Sequence, residues 1–138
     1  MRLVHHRDGG PRQLTDEAGD GPVDEDALAD GVERRVLADE VERAEGPLTQ
    51  ALGLMFRPSI PEGYALAFPF EEPASRTIHT LFVLEPIDVL WLVEDEVVKV
   101  ERLRPFRGLA HGLADTVVEL PAGAADGVEP GDTVEIVE

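Results

Sequence analysis

In the stretch PIDVLW (86–91), an aspartate stands between Ile87 and Val89 and, by alternation, shares a strand face with Leu90 and Leu92. A carboxylate left unpaired among such neighbours is costly to bury, so Asp88 needs either a partner or a task. Arg57, at the end of GLMFR (53–57), is the natural partner, because a planar guanidinium grips a carboxylate through two parallel hydrogen bonds. A backbone cap at the strand entrance is the other structural role, and contact with a ligand is the functional one. His79, in TIHTLFV (77–83), falls on the face of Leu81 and Val83 and reads first as a core histidine. If it shared a cavity with Asp88, imidazole and carboxylate together could do general acid–base work. Glu119, in VVELPAG (117–123), shares a face with Val117 and reads either as a solvated or cross-strand-paired glutamate or as a ligand contact. The aromatics Phe68, Phe70 and Trp91 could complete a site for a small ligand or peptide.

Other chemistries find no support. The chain has no cysteine, which removes disulfides, thiol nucleophiles and thiolate metal sites. His5 and His6 are adjacent, and His111 lies between small residues, so no spacing matches a zinc site and no metal is expected. Ser59 and Ser75 lack a GxSxG context, and PAGAADGVEPGD (121–132) lacks the lysine and spacing of a phosphate loop, so neither a serine triad nor a nucleotide cofactor is expected.

The elements that must position these residues read mainly as strands. YALAFPF (64–70), TIHTLFVL (77–84), IDVLWLV (87–93), VVKVERL (97–103), DTVVEL (115–120) and DTVEIV (132–137) are β-like, and RRVLADEVERA (34–44) favours a strand over a helix. EPGD (129–132) has the proline and glycine of a type II turn. One amphipathic helix is predicted over about 47–57, with Pro47 at its start and Leu48, Leu52, Met55 and Phe56 on one side. The sum is a mainly β, compact antiparallel barrel or sandwich-like domain with one short α-helix. Residues 1–7 form a candidate first strand, and 8–31 read as an acidic, glycine-rich flexible insertion that cannot bury enough apolar surface to order itself. The remaining 32–138 make a single domain.

Of the 138 residues, 43% are apolar, which suffices for one core. Twelve basic and 29 acidic residues give a formal charge of −17. Such a surface repels nucleic acid, anionic membranes and acidic substrates. With no 18-residue apolar run and no signal-peptide core in MRLVHHRDGG (1–10), the chain is expected to be soluble and cytoplasmic. Acid spread over the whole chain suits the cytosol of an extreme halophile, because the Debye length at molar salt is about 3 Å.

Five motifs, GLMFR (53–57), ALAFPF (65–70), IHTLFVLEPIDVLWL (78–92), VVELPAG (117–123) and GVEPGD (127–132), occur in the order seen in the DUF192 family, which this chain resembles over roughly residues 34–138. Position by position the family's motifs fall on Gly53, Leu54, Met55 and Arg57, on His79, Thr80, Pro86, Ile87 and Asp88, on Glu119, Leu120 and Gly123, and on Gly131 and Asp132. Many bacterial members resemble a form with asparagine where His79 stands and arginine near Gln50 and Ala51, which argues against a mechanism requiring an imidazole. The IHT form is similar to the archaeal branch. The resemblance implies a compact, mostly antiparallel β fold with a short helix on one side and carries no agreed activity.

The functional expectation is therefore a non-catalytic module for a small uncharged or cationic ligand, sugar-like, or a peptide, with Arg57, His79, Asp88, Trp91 and Glu119 as contacts. The alternatives are an interaction subunit, or a hydrolase or isomerase with Asp88 as base and His79 as acid. The charge of −17 carries a test of its own. The unfolding midpoint is expected to rise from about 0.1 M to molar salt as repulsion is screened; a midpoint flat over that range would remove the halophile reading.

Overall fold

The computed structural model describes residues 1–8, 32–44, 46, 53, 54, 57 and 59–138, without the side chains of Asp8, Val32 and Glu33. Among them eight strands form one sheet: β1 (Arg2–Asp8), β2 (Val32–Ala38), β3 (Glu40–Arg43), β4 (Tyr64–His79), β5 (Ile87–Val93), β6 (Glu96–Leu103), β7 (Leu109–Pro121) and β8 (Thr133–Val137). Their order is β2-β1-β8-β6-β5-β7-β4-β3, antiparallel throughout except for the parallel pair β3–β4.

The terminal strands of this sheet, β2 and β3, are separated in the chain by Asp39 alone. One residue spans only about 3.5 Å, so the sheet must roll until its ends meet. The joint is clasped by Gly63, whose carbonyl accepts the N–H groups of Asp39 and Glu40 at 3.0 and 2.9 Å. Gly63 has φ +82°, and a Cβ there would stand 2.7 Å from Asp39 Oδ1, so this position suits glycine on two counts. The fold is mainly β, as the sequence predicts, and of the barrel or sandwich-like forms expected it takes that of a rolled sheet left open, since no hydrogen-bonded ladder joins β2 to β3.

Rolling gives the sheet an interior to which every strand contributes, including Leu3, Leu37, Val41, Ala65, Leu90, Val97, Val118 and Val134. A second apolar layer lies outside β4, β5 and β7 and contains Leu66, Phe68, Ile87, Val89, Trp91 and Val117, covered by Leu54, Ile60 and Val83. Strand β5 lies between the two, with Asp88, Leu90 and Leu92 turned inward and Ile87, Val89 and Trp91 outward. That is why its sequence is apolar on both faces.

The two β-like runs at 64–70 and 77–84 belong to one strand as far as His79, and β7 begins six residues before the run read at 115. The register of β4 and β7 breaks between Pro69 and Ala74, and beyond the break the strands continue as a two-stranded arm from Ala74↔Ala114 to His79↔Leu109. An isolated ribbon of this kind is marginal. Trp91 holds it: the indole is fully buried, and its Nε1–H donates to Arg76 O at 2.9 Å. Lys99 Nζ donates to His111 O at 2.7 Å from the neighbouring strand.

The run TIHTLFVL stops being a strand at Thr80, whose buried side chain ties two loops together. Its hydroxyl donates to Arg104 O and accepts the Gly108 N–H, both at 2.6 Å, and its carbonyl accepts the N–H groups of Val83 and Phe106. Phe82 and Phe106 in these loops have φ of 63° and 65°, a left-handed conformation that costs an L-residue about 1–2 kcal/mol. The EPGD turn is as the sequence predicts, with Gly131 at φ 97° and Asp132 N–H donating to Glu129 O at 3.0 Å. Of the helix predicted over 47–57, only Gly53, Leu54 and Arg57 are among the described residues, where Gly53 and Leu54 form a turn. The rest of it lies outside them, as do residues 9–31 of the predicted insertion.

Gly112 is the point where the arm meets Trp91, since a Cβ there would lie 3.0 Å from Cγ of the indole. Gly112→Ala is expected to destabilise the fold by about 1–3 kcal/mol through overpacking and to shift the emission of the sole tryptophan. Denaturation followed by fluorescence checks both.

Candidate functional site

Asp88 is 2% exposed and saturated with hydrogen bonds. Arg102 Nε donates to Oδ1 at 2.8 Å, while the N–H groups of Gly123 and Ala125 donate to Oδ2 at 2.9 and 3.0 Å. Arg102 continues to Asp126 Oδ1 at 2.6 Å. The partner is thus Arg102 and not Arg57, and the reason is register. The β5–β6 hairpin pairs Val93 with Glu96 and Leu92 with Val97, a register that would place Glu101 opposite Asp88. The extra residue Val98 shifts the pairing by one between Leu92 and Trp91, bringing Arg102 opposite Asp88 instead. The role of Asp88 is the capping and ion-pairing one: it holds the turn over 122–127 against the end of the rolled interior, where Ala125 and Val128 pack.

His79 does not join it. The imidazole is exposed near the end of the arm, and Nδ1 accepts the Leu81 N–H at 3.2 Å, so it is neither the core residue nor the acid partner that alternation suggested. Trp91 is fully buried, with its N–H donated to Arg76 O. The Phe70 ring carries the Arg76 guanidinium 3.8 Å from its centroid. Among the described residues no group of three or more histidines or carboxylates is disposed to hold a metal ion. His5 and His6 instead pair with Asp132 and Glu135 at 2.8 and 3.0 Å across the β1–β8 seam.

Glu119 and Arg57 do come together, with Gly53 beside Glu119 and Tyr64 and Glu42 beside Arg57, three residues that the sequence reading did not weigh as contacts. Glu119 points to the outer layer from β7, flanked across the strands by Leu66 and Val89, and is 5% exposed. The Gly53–Leu54 turn lies over it, and a Cβ on Gly53 would be 3.4 Å from both Glu119 Oε1 and Phe68 Cζ. Burial pushes the carboxyl up to about 7, against a hydrogen bond from the Leu54 backbone and the charge of Arg57, which draw it down. Oε1 has no hydrogen-bond partner among the described residues. Arg57 Nη1 in turn donates to Tyr64 Oη at 3.1 Å, Tyr64 donates to Glu42 Oε1, and the guanidinium lies 5.2 Å from the Tyr64 ring centroid. Burial, and then the hydrogen bond to Glu42, push the Tyr64 phenol up to about 12, so it remains a donor at neutral pH. A buried carboxyl titrating near neutrality can, when ionised, accept a hydrogen bond from a ligand hydroxyl or ammonium and, when protonated, donate one.

The two carboxylates separate in mutagenesis. Asp88→Ala strands two backbone N–H groups and is expected to cost about 3 kcal/mol. Arg57→Met, at a half-exposed side chain bonded to a tyrosine, is expected to cost less than about 1 kcal/mol. Urea midpoints of both variants at one molar salt check the order; a larger loss for Arg57→Met would reverse the assignment.

Comparison with known proteins agrees with this architecture. The profile of DUF192, described as an uncharacterised ACR, matches residues 29–136. A UPF0127 protein of Pyrococcus abyssi is 41% identical over 102 residues, covering 70% of this chain and 85% of that protein. A UPF0127 protein of Pyrococcus horikoshii is 36% identical over 102 residues, covering 70% and 86%. Among solved structures, a protein of unknown function from Novosphingobium aromaticivorans superposes with a TM-score of 0.66 at 27% identity over 75% of this chain and 77% of that one. One described as a putative transcription regulator from Sinorhizobium meliloti superposes at 0.66 with 20% identity over 97% and 92%, a likeness of fold alone. The match to the family profile, with the archaeal relatives beside it, places the chain in the DUF192 family.

Proposed function

We propose that this DUF192 protein is a non-catalytic binding module that holds a small uncharged or cationic ligand, sugar-like in its hydroxyls, at Glu119 beneath the Gly53–Leu54 turn. The observation that carries the reading is Glu119 Oε1, a buried carboxyl oxygen without a hydrogen-bond partner among the described residues. Such an atom forfeits about 1–3 kcal/mol that a hydroxyl or ammonium would restore. The Phe68 edge beside it offers an apolar wall, and the charge of Arg57, which Tyr64 and Glu42 hold in place, acts on the carboxyl. The charge of −17 disfavours an anionic ligand. The setting that fits the acid excess and the archaeal relatives is a salt-rich archaeal cytosol.

Two measurements on one pair of proteins test it. Because the Glu119 carboxyl titrates at about 7 in the fold and near 4.5 when unfolded, the native state holds the extra proton between these values. Its stability contribution is therefore present below about pH 4.5 and lost as pH rises towards about 7, on the order of 3 kcal/mol in all. Glu119→Gln is expected to flatten that decline. Glucose, mannose and ethanolamine are then titrated at molar salt against both proteins; a midpoint raised in the parent and unmoved in Glu119→Gln supports the site. No shift in the parent with any of them, or equal shifts in both proteins, would overturn it.

A further inference from the structure

The acidic residues of this chain avoid one region. Segments 73–84 (PASRTIHTLFVL) and 102–114 (RLRPFRGLAHGLA) contain no aspartate or glutamate, although an even spread of 29 acids over 138 residues would place 25 × 29/138, about five, among their 25 positions. They hold Arg76, Arg102, Arg104 and Arg107, a formal charge of +4, so the rest of the chain carries −17 − 4 = −21. These segments are brought together by the pairing of β4 with β7 and by the bonds of Thr80 to both loops. Arg102 is committed to Asp88 and Asp126, and Arg76 to backbone carbonyls and the Phe70 ring. Arg104 and Arg107 are exposed and lie within ion-pair distance of no acid among the described residues.

The same tip exposes apolar side chains. Leu81 and Phe82 in one loop and Phe106 in the other are 52%, 45% and 50% exposed, and Leu109, opposite His79 at the end of the arm, is 72% exposed. Phe106 is held at positive φ with half of its surface still in solvent, and a large apolar residue held in that way marks a surface kept for contact. We propose that this tip is a docking surface for an acidic segment of a partner protein that carries apolar side chains, its carboxylates meeting Arg104 and Arg107 and its apolar groups covering Phe106 and Leu109. Charge decides among polyanions. A membrane or a nucleic acid presents an extended negative surface to a body of −21, whereas a short segment meets only the basic tip.

The test uses a fluorescein-labelled peptide alternating aspartate with leucine and phenylalanine, and a twin with lysine in place of aspartate, followed by anisotropy at about 0.15 M salt. The parent is compared with Phe106→Gly, with the double variant Arg104→Glu and Arg107→Glu, and with Val36→Ser, an exposed apolar residue of β2. The acidic peptide is expected to bind the parent and Val36→Ser alike and both tip variants about tenfold more weakly or worse. Phe106→Gly is also expected to melt no lower than the parent, because glycine accepts φ 65° without penalty. Equal binding to all variants, equal binding of the lysine twin, or a lowered midpoint of Phe106→Gly would overturn the proposal. So would tip-dependent sedimentation with phosphatidylglycerol vesicles in place of peptide binding, or self-association lost in the same variants.

Discussion

A carboxylate inside a protein is stable only where donors replace the water it has lost. Asp88 meets that requirement with a guanidinium and two backbone N–H groups, and much of the molecule is arranged to deliver them. The N–H groups come from the turn that follows β7, so the carboxylate draws this turn across the end of the rolled sheet and sets Ala125 and Val128 into the interior. The guanidinium comes from β6 and bridges onward to Asp126 in the same turn. One side chain therefore fixes three segments distant in the chain, and the apolar interior is sealed at that end by polar contacts.

Glu119 shows the other fate of a carboxyl in the same sheet. It is nearly as buried as Asp88, but a single backbone N–H and the charge of Arg57 attend it, and burial prevails, raising its proton affinity. The difference lies in the surroundings and not in the residue type. Asp88 is directed to a turn with free donors, Glu119 to apolar neighbours on Leu66, Val89 and Phe68.

How much was legible follows from the same physics. Strand β5 could be read almost to the residue, because burial on both faces leaves a continuous apolar run, and the EPGD turn could be read because its geometry requires a particular residue. The inward face of Asp88 followed from alternation. Its partner did not, since the pairing depends on one extra residue, Val98, that has no mark in the sequence. His79 was misplaced for a related reason: alternation carries a face forward only while the strand lasts, and Thr80 ends it by bonding to a loop some 24 residues away. Trp91 looked like a contact because aromatics serve ligands and cores alike, and only the arm lying over it decides for the core. The pairing of Arg57 with the Tyr64 and Glu42 side chains depends on the fold bringing β3 beside β4, a parallel contact that local pattern does not reveal.

The joint at Asp39 has a mechanical consequence. In an ordinary open sheet the two outermost strands are independent, and either one can slip along its neighbour while the other stays in place. Here they are successive pieces of one chain, clasped at Gly63, with β2 running along β1 and β3 along β4. A slip of one residue by β2 would pull β3 out of step by the same amount and turn Leu37 and Val41 away from the interior together. The two margins of the sheet are geared to each other, so an error at one is opposed by the packing of both.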